Sequence, residues 1–181
     1  MRAFFLIKRF VNATNIVYLR SINKIYYHMI EGKIENTTER YRRLRIILGE
    51  EYIKKDIESS FDYIIYASKG IRADIIKNFI KNFNVSQEIT ANFLNISSPT
   101  IYRWIKNKKK LERNYSVKLF EIAELFLYGS DVFESNENFT KWLKLPNTAL
   151  GGMEPIELLE IPGGVSKVND IIGRIEHGVY S

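Results

Sequence analysis

The chain contains no cysteine. That excludes disulfide scaffolding, thiolate nucleophiles and cysteine-ligated zinc. Histidine is almost as scarce: His28 and His177 are the only two. Neither stands in a ligand-spaced cluster, so no metal site is expected and each reads as a solvated or packed side chain. Long apolar runs are missing as well. The first ten residues, Met1-Arg-Ala-Phe-Phe-Leu-Ile-Lys-Arg-Phe10, imitate the start of a signal peptide. They reach only five consecutive apolar residues before Lys8 and Arg9, and no small-residue cleavage site follows. No stretch approaches the roughly 20 apolar residues that a membrane-spanning helix needs, so a soluble, cytoplasmic protein without a membrane partner is expected. Catalytic grammar is absent too: there is no phosphate loop, no nucleophile elbow and no Asp/Glu/His grouping at metal spacing. Glu154, Glu157 and Glu160 recur three apart, but opposite Ile156, Leu158 and Leu159 they read as a solvated helix face. The expectation is a protein that is not an enzyme and takes no cofactor.

What the chain does have is enough apolar material for a core, at 45% of 181 residues, and an uneven charge. Residues 1–55 carry 12 Lys/Arg against 5 Asp/Glu, residues 56–114 carry 10 against 6, and residues 115–181 carry 5 against 10. The basic front and middle suit a polyanion, while the acidic rear suits a protein partner with a basic pocket. Three segments follow from this: an N-terminal extension at 1–55, a central domain at 56–114 and a C-terminal domain at 115–181. Residues 1–28 have no cap or turn grammar, and Met29 precedes a more ordinary polar start. Translation beginning at Met29, with 1–28 disordered or a mis-called start, is expected slightly ahead of a real accessory helix.

Helical periodicity dominates and no convincing pair of alternating strands appears, so the fold class is all-α. Tyr41, Leu44 and Leu48 mark one face of a helix over 38–48, capped by Thr37 or Thr38 and stopped by Gly49. Ser60 is expected to cap a short helix through Ala67, although Phe61-Asp-Tyr-Ile-Ile-Tyr66 would also serve as a strand. Ile71, Ile75 and Phe79 predict a helix to about Phe83. Val117 to Tyr128 predicts a buried helix whose apolar surplus, with Phe120, Phe126, Leu127 and Tyr128, would pack the C-terminal domain and support a homodimer. A capped amphipathic helix is expected from about Asn136 to Lys144.

Between Ser86 and Lys110 the pattern changes character. Ala91 is small enough for a close helix crossing, Leu94 and Ile96 bracket a turn at Asn95, and Ile101, Trp104 and Ile105 return to the core. This is the grammar of a helix-turn-helix. Ser97 or Ser98 would cap its second helix, with Pro99 in the first turn, where a missing N–H costs little. Thr100, Tyr102, Arg103 and Lys106 are then left facing outward. Hydroxyls and arginine reach phosphates or base edges in a major groove, and Lys106, Lys108 and Lys109 add attraction to the backbone. The DNA-binding set is therefore Ser98, Thr100, Tyr102, Arg103, Lys106, Lys108 and Lys109. A basic helix end solvating its own dipole is the plainer alternative.

The C-terminal residues are the most specific part of the chain. Val165, Val168, Ile172, Ile175 and Val179 recur at spacings of three and four, an apolar seam along one helix. Arg174, Glu176 and His177 fall off that seam. Gly178 sits where a helix ends in a left-handed residue, so Val179-Tyr180-Ser181 leaves as a short tail. Four motifs occur in order: Leu145-Pro146-Asn147, Ala149-Leu150-Gly151-Gly152, Pro155-Ile156-Glu157-Leu158-Leu159 and Gly173-Arg174-Ile175-Glu176-His177-Gly178-Val179. Together they resemble the toxin-binding domain of the Xre/MbcA/ParS antitoxins, and the helix-turn-helix resembles the Xre-type motif of the same proteins.

That resemblance implies a type II antitoxin with two partners. One is a RES-domain toxin that consumes NAD and is silenced when the C-terminal segment plugs its cleft. The other is operator DNA, bound in autorepression. Homodimerisation is a further implication. Arg174, Glu176, His177, Gly178, Val179, Tyr180 and Ser181 would face the toxin, with Glu176 and the terminal carboxylate standing in for dinucleotide charge and Tyr180 stacking like a ring. A stand-alone helix-turn-helix regulator with a C-terminal dimerisation domain is the competing reading.

Overall fold

A computed structural model describes residues 38–54 and 57–179. The expectations for residues 1–28 and for a cap at Thr37 lie outside these. The described residues from 40 onward form one compact unit, and residues 38 and 39 fall outside it. Both are helical.

The described residues are helical apart from loops and one isolated bridge, between Arg72 and Lys110. Helix α1 (38–48) ends at Gly49, whose φ of 106° is the left-handed stop that its sequence position demanded. It buries Tyr41, Leu44 and Leu48. Helix α2 (Ser60–Ser68) is capped by Ser59, whose hydroxyl accepts from the Asp62 N–H, one residue ahead of the cap expected at Ser60. The strand option at Phe61–Tyr66 is not taken. Helix α3 (Ile75–Phe83) begins later than Ile71 predicted. Ile71 instead lies in an extended stretch: its carbonyl accepts from the Leu111 N–H at 2.7 Å, and the Ala73 N–H donates to the Lys109 carbonyl at 2.8 Å. Those cross-chain bonds satisfy backbone groups that a helical start would have satisfied locally, which apolar spacing alone does not reveal.

Helices α4 (Gln87–Phe93) and α5 (Ser98–Lys106) pack on each other around a turn at Asn95, φ 52°. Helix α6 (Arg113–Val132) is four residues longer at each end than Val117 to Tyr128 and forms the axis of the fold. It packs against α2, α3, α4, α7 (Asn136–Leu143) and α9 (Gly164–Glu176), and apolar residues nearly all round its circumference are buried. A 3-10 turn (Thr148–Leu150) and the short α8 (Pro155–Leu158) link α7 to α9. Phe126 stands at the centre of an aromatic cluster, its ring 5.6 Å from Phe79, 5.4 Å from Phe83, 6.0 Å from Phe93 and 5.3 Å from Phe139. Gly129 makes room for this: a Cβ there would lie 2.4 Å from the Phe139 ring.

Two consequences follow for the sequence reading. Residue 114 lies in the first turn of α6, so packing is continuous where the sequence divides the central and C-terminal segments. And Phe120, Phe126, Leu127 and Tyr128 are each 9% exposed or less. They are consumed by intramolecular packing, which corrects the idea that their surplus is available to a second copy. No described helix is long and apolar enough to cross a membrane.

Candidate functional site

Two surfaces carry the residues singled out above. The first is α5. Ser97 occupies its N-cap position but makes no side-chain bond to the helix backbone. Its hydroxyl meets that of Thr100 at 2.8 Å, and Thr100 also accepts from Arg103 Nη2 at 3.2 Å. Ser98, a candidate DNA contact, is half-buried, with both its hydroxyl and its carbonyl accepting from the Gln87 side-chain amide at 2.9 and 3.0 Å. This pair staples the start of α4 to the start of α5, so Ser98 fixes the angle of the motif. Tyr102, Arg103 and Lys106 are exposed on the outer face, Tyr102 at 59%. Lys106 Nζ lies 6.0 Å from the Tyr102 ring centroid. Lys108 and Lys109 follow in the turn: Lys108 has φ 48°, and Lys109 sits 4.8 Å over the Trp104 ring and 3.7 Å from Glu112. Tyr102, Arg103 and Lys106 therefore lie on the exposed side of α5, Thr100 sits at its start bonded to Arg103, and the two later lysines follow at its end.

The second surface is the end of α9. Gly163, φ 79°, is the N-cap, and the helix begins at Gly164, where a Cβ would stand 1.7 Å from the Leu158 carbonyl oxygen. Only glycine allows α8 and α9 to meet this closely. Val168, Ile171 and Ile172 are buried, and Val165 and Ile175 are half-buried. Val179, placed on the seam by its spacing, is 56% exposed, because Gly178 turns the chain at φ 67° before the next helical position. The Gly178 N–H donates to the Ile175 carbonyl at 3.0 Å and the Val179 N–H to the Arg174 carbonyl at 2.8 Å. That double bond pattern is a Schellman motif. Arg174, Glu176 and His177 are exposed around it. Tyr180 and Ser181 lie outside the described residues.

Sequence reasoning missed what stands behind Glu176. The Tyr128 hydroxyl donates to Glu176 Oε2 at 2.6 Å, and the Arg40 guanidinium lies 4.7 Å over the Tyr128 ring. Burial, then the bond to Glu176 and its charge, push the Tyr128 hydroxyl up to about 12. A tyrosine at the polar end of an apolar helix was the available signal, since buried phenols seek partners. Beside it a cavity of about 310 Å³ is lined by Arg40, Lys118, Glu121 and Glu124 among others. Burial raises the carboxyl of Glu121 and lowers the ammonium of Lys118. Also unforeseen is Asn95, whose side-chain amide donates to the Glu160 carbonyl at 3.1 Å and ties the turn of the helix-turn-helix to the loop before α9.

Residues 129–178 match the family described as Antitoxin Xre/MbcA/ParS C-terminal toxin-binding domain. The chain is 28% identical to the Prs ADP-ribosylating antitoxin of Sphingobium sp. (strain YBL2), over 68% of this chain and 83% of that protein. It is 48% identical to an Antitoxin Xre of Yersinia enterocolitica (serotype O:8 / biotype 1B) over a shorter stretch, 33% of this chain and 37% of the relative. A solved chain from the M. tuberculosis MbcT-MbcA toxin-antitoxin complex aligns over 60% of this chain and 96% of its own length, with a TM-score of 0.46 and 20% identity. The matched segment opens at Gly129, beside Phe139, and closes at Gly178, the turn that ends α9; residues 129–178 are thus similar to the C-terminal toxin-binding domain of the Xre/MbcA/ParS antitoxins.

Proposed function

We infer that the chain is a type II antitoxin that neutralises a RES-domain, NAD-consuming toxin by inserting its C-terminal segment into the toxin's cleft. The carrying observation is the end of α9. A helix anchored by Val168, Ile171 and Ile172 stops in a Schellman turn and releases an exposed Val179, with Arg174, Glu176 and His177 around the exit. A helix end fixed by two backbone bonds and a left-handed glycine presents the residues that follow it in one direction, which fits reception by a partner. Gly178, Val179, Tyr180 and Ser181 form the entering element in this reading, and the Glu176 carboxylate beside the exit suits a pocket basic enough to hold dinucleotide phosphates. ADP-ribosylation in the name of the Sphingobium relative fits chemistry on NAD.

The same chain binds operator DNA through α5 and represses its own operon in this reading. Thr100, Tyr102, Arg103 and Lys106 supply the groove face, and Lys108 and Lys109 supply phosphate attraction. Ser98 holds the motif's geometry. Paired half-sites favour a homodimer, since a two-fold protein reads a two-fold operator. Its interface lies elsewhere than the buried face of α6. A stand-alone regulator has the same helix-turn-helix but no use for the fixed C-terminal exit.

Co-expression with the neighbouring toxin gene tests the assignment. The full chain brings the toxin down and rescues growth, whereas a chain lacking residues 176–181 folds, keeps DNA binding and fails to rescue. Full rescue by the shortened chain refutes the plug, and absence of any co-purifying toxin favours the stand-alone regulator.

A further inference from the structure

Tyr128 lies at the end of the apolar run of α6 and is 9% exposed. Its ring is held beneath Arg40, and its hydroxyl reaches Glu176 Oε2 at 2.6 Å. A Cβ on Gly173 would lie 3.6 Å from that hydroxyl oxygen, so the phenol crosses α9 at a glycine and meets the helix one turn later. Glu176 is the last residue of α9, two before the left-handed Gly178. The final turn of a helix is where fraying begins. A charge-assisted bond at that turn, stronger than a neutral one, fixes where the chain departs.

We propose that Tyr128, with Arg40 stacked on it, is a positioning residue for the C-terminal segment: by holding Glu176 it sets the direction in which Gly178 and Val179 leave α9, and with it the presentation of the tail to the toxin. This rests on the plug reading above. Glu176 then acts mainly within its own domain, while Arg174 and His177 remain free to face the partner. Arg40 contributes by packing over the face of the ring, 4.7 Å from its centroid.

Tyr128→Phe removes the hydroxyl and keeps the ring, and Glu176→Ala removes the acceptor. The first readout needs no toxin. Amide hydrogen exchange at Gly178 and Val179 accelerates about tenfold in both variants, as expected for a net loss near 1.4 kcal/mol, while core amides of α6 keep their protection. Unchanged exchange at those two amides overturns the proposal.

The second readout is affinity for the toxin encoded beside this chain. Tyr128→Phe weakens binding by about tenfold. The double variant binds no more weakly than Glu176→Ala alone, because the two groups act through one bond. In a chain shortened after Gly178, Tyr128→Phe has no further effect, since no tail remains to be aimed. A general structural role would lower affinity equally in the full and shortened chains, and additive losses in the double variant would assign Glu176 a separate contact; either result overturns the proposal. If the unmodified chain fails to bind that toxin, the plug reading falls, and the exchange measurement still decides whether Tyr128 orders the helix end.

Discussion

Replacing Phe126 with alanine tests whether one core underlies both surfaces. Phe126 is 1% exposed, and its ring neighbours come from α3 (Phe79 and Phe83), from α4 (Phe93) and from α7 (Phe139). The first three belong to the helix-turn-helix side and the last to the family-matched segment. Truncating a buried phenylalanine costs about 3–5 kcal/mol, transfer and cavity terms together. The tilted and edge-on pairings add about 0.5–1.5 kcal/mol each in isolation. They share one ring, so they do not sum, and about 4 kcal/mol is the working figure. Set against a total of about 5–15 kcal/mol, that is a large fraction. With a urea slope near 2 kcal/mol/M, the midpoint falls by about 2 M. The two tryptophans allow the loss to be read on each side separately. Trp104 on α5 packs on Tyr115 at 5.0 Å, and Trp142 on α7 packs on Phe133 at 5.0 Å. In Trp104→Phe and Trp142→Phe backgrounds, the remaining fluorophore reports one half of the molecule. A single core requires Phe126→Ala to lower both midpoints equally. A wild-type midpoint retained by either fluorophore, or a loss under about 1 kcal/mol, would falsify the shared core.

Three further outcomes are expected. Arg103→Ala and Lys106→Ala each weaken operator binding, by about 1–3 kcal/mol if the side chain reads a base edge, and leave toxin neutralisation intact; gel-shift affinities equal to wild type for both would remove α5 as the recognition helix. Because the Tyr128 hydroxyl titrates near 12 when folded and near 10 when unfolded, its contribution to stability is complete below pH 10 and is lost as pH rises toward 12. Melting temperatures of wild type and Tyr128→Phe should therefore converge over that interval, and parallel curves would show that the hydroxyl is not protected. Light scattering at micromolar concentration should return a dimer even for a Phe120→Leu variant, since that ring lies wholly inside the chain; a monomer with DNA binding intact would refute the dimer.

Local chemistry fixed much of this in the sequence itself. Glycines at positions 49 and 178 announced left-handed stops, and the capped start expected at about Asn136 is made by Ser135, which accepts the Asn138 N–H. The Leu94–Asn95–Ile96 turn and the buried Ile101 followed from helix-turn-helix spacing, because such signals involve residues a few positions apart. The four C-terminal motifs pointed, for the same reason, to the domain that residues 129–178 match. What required tertiary structure were pairings between distant positions. Periodicity put Ile71 in a helix, but its backbone bonds to Leu111, forty residues away. Spacing put Val179 on the apolar seam, but the turn at Gly178 swings it into solvent. Spacing left Glu176 a free surface carboxylate and Tyr128 a core aromatic. Only the packing of α9 across α6 brings them within 2.6 Å, since a pattern along one helix records which side chains are apolar and not which neighbour each polar atom will meet.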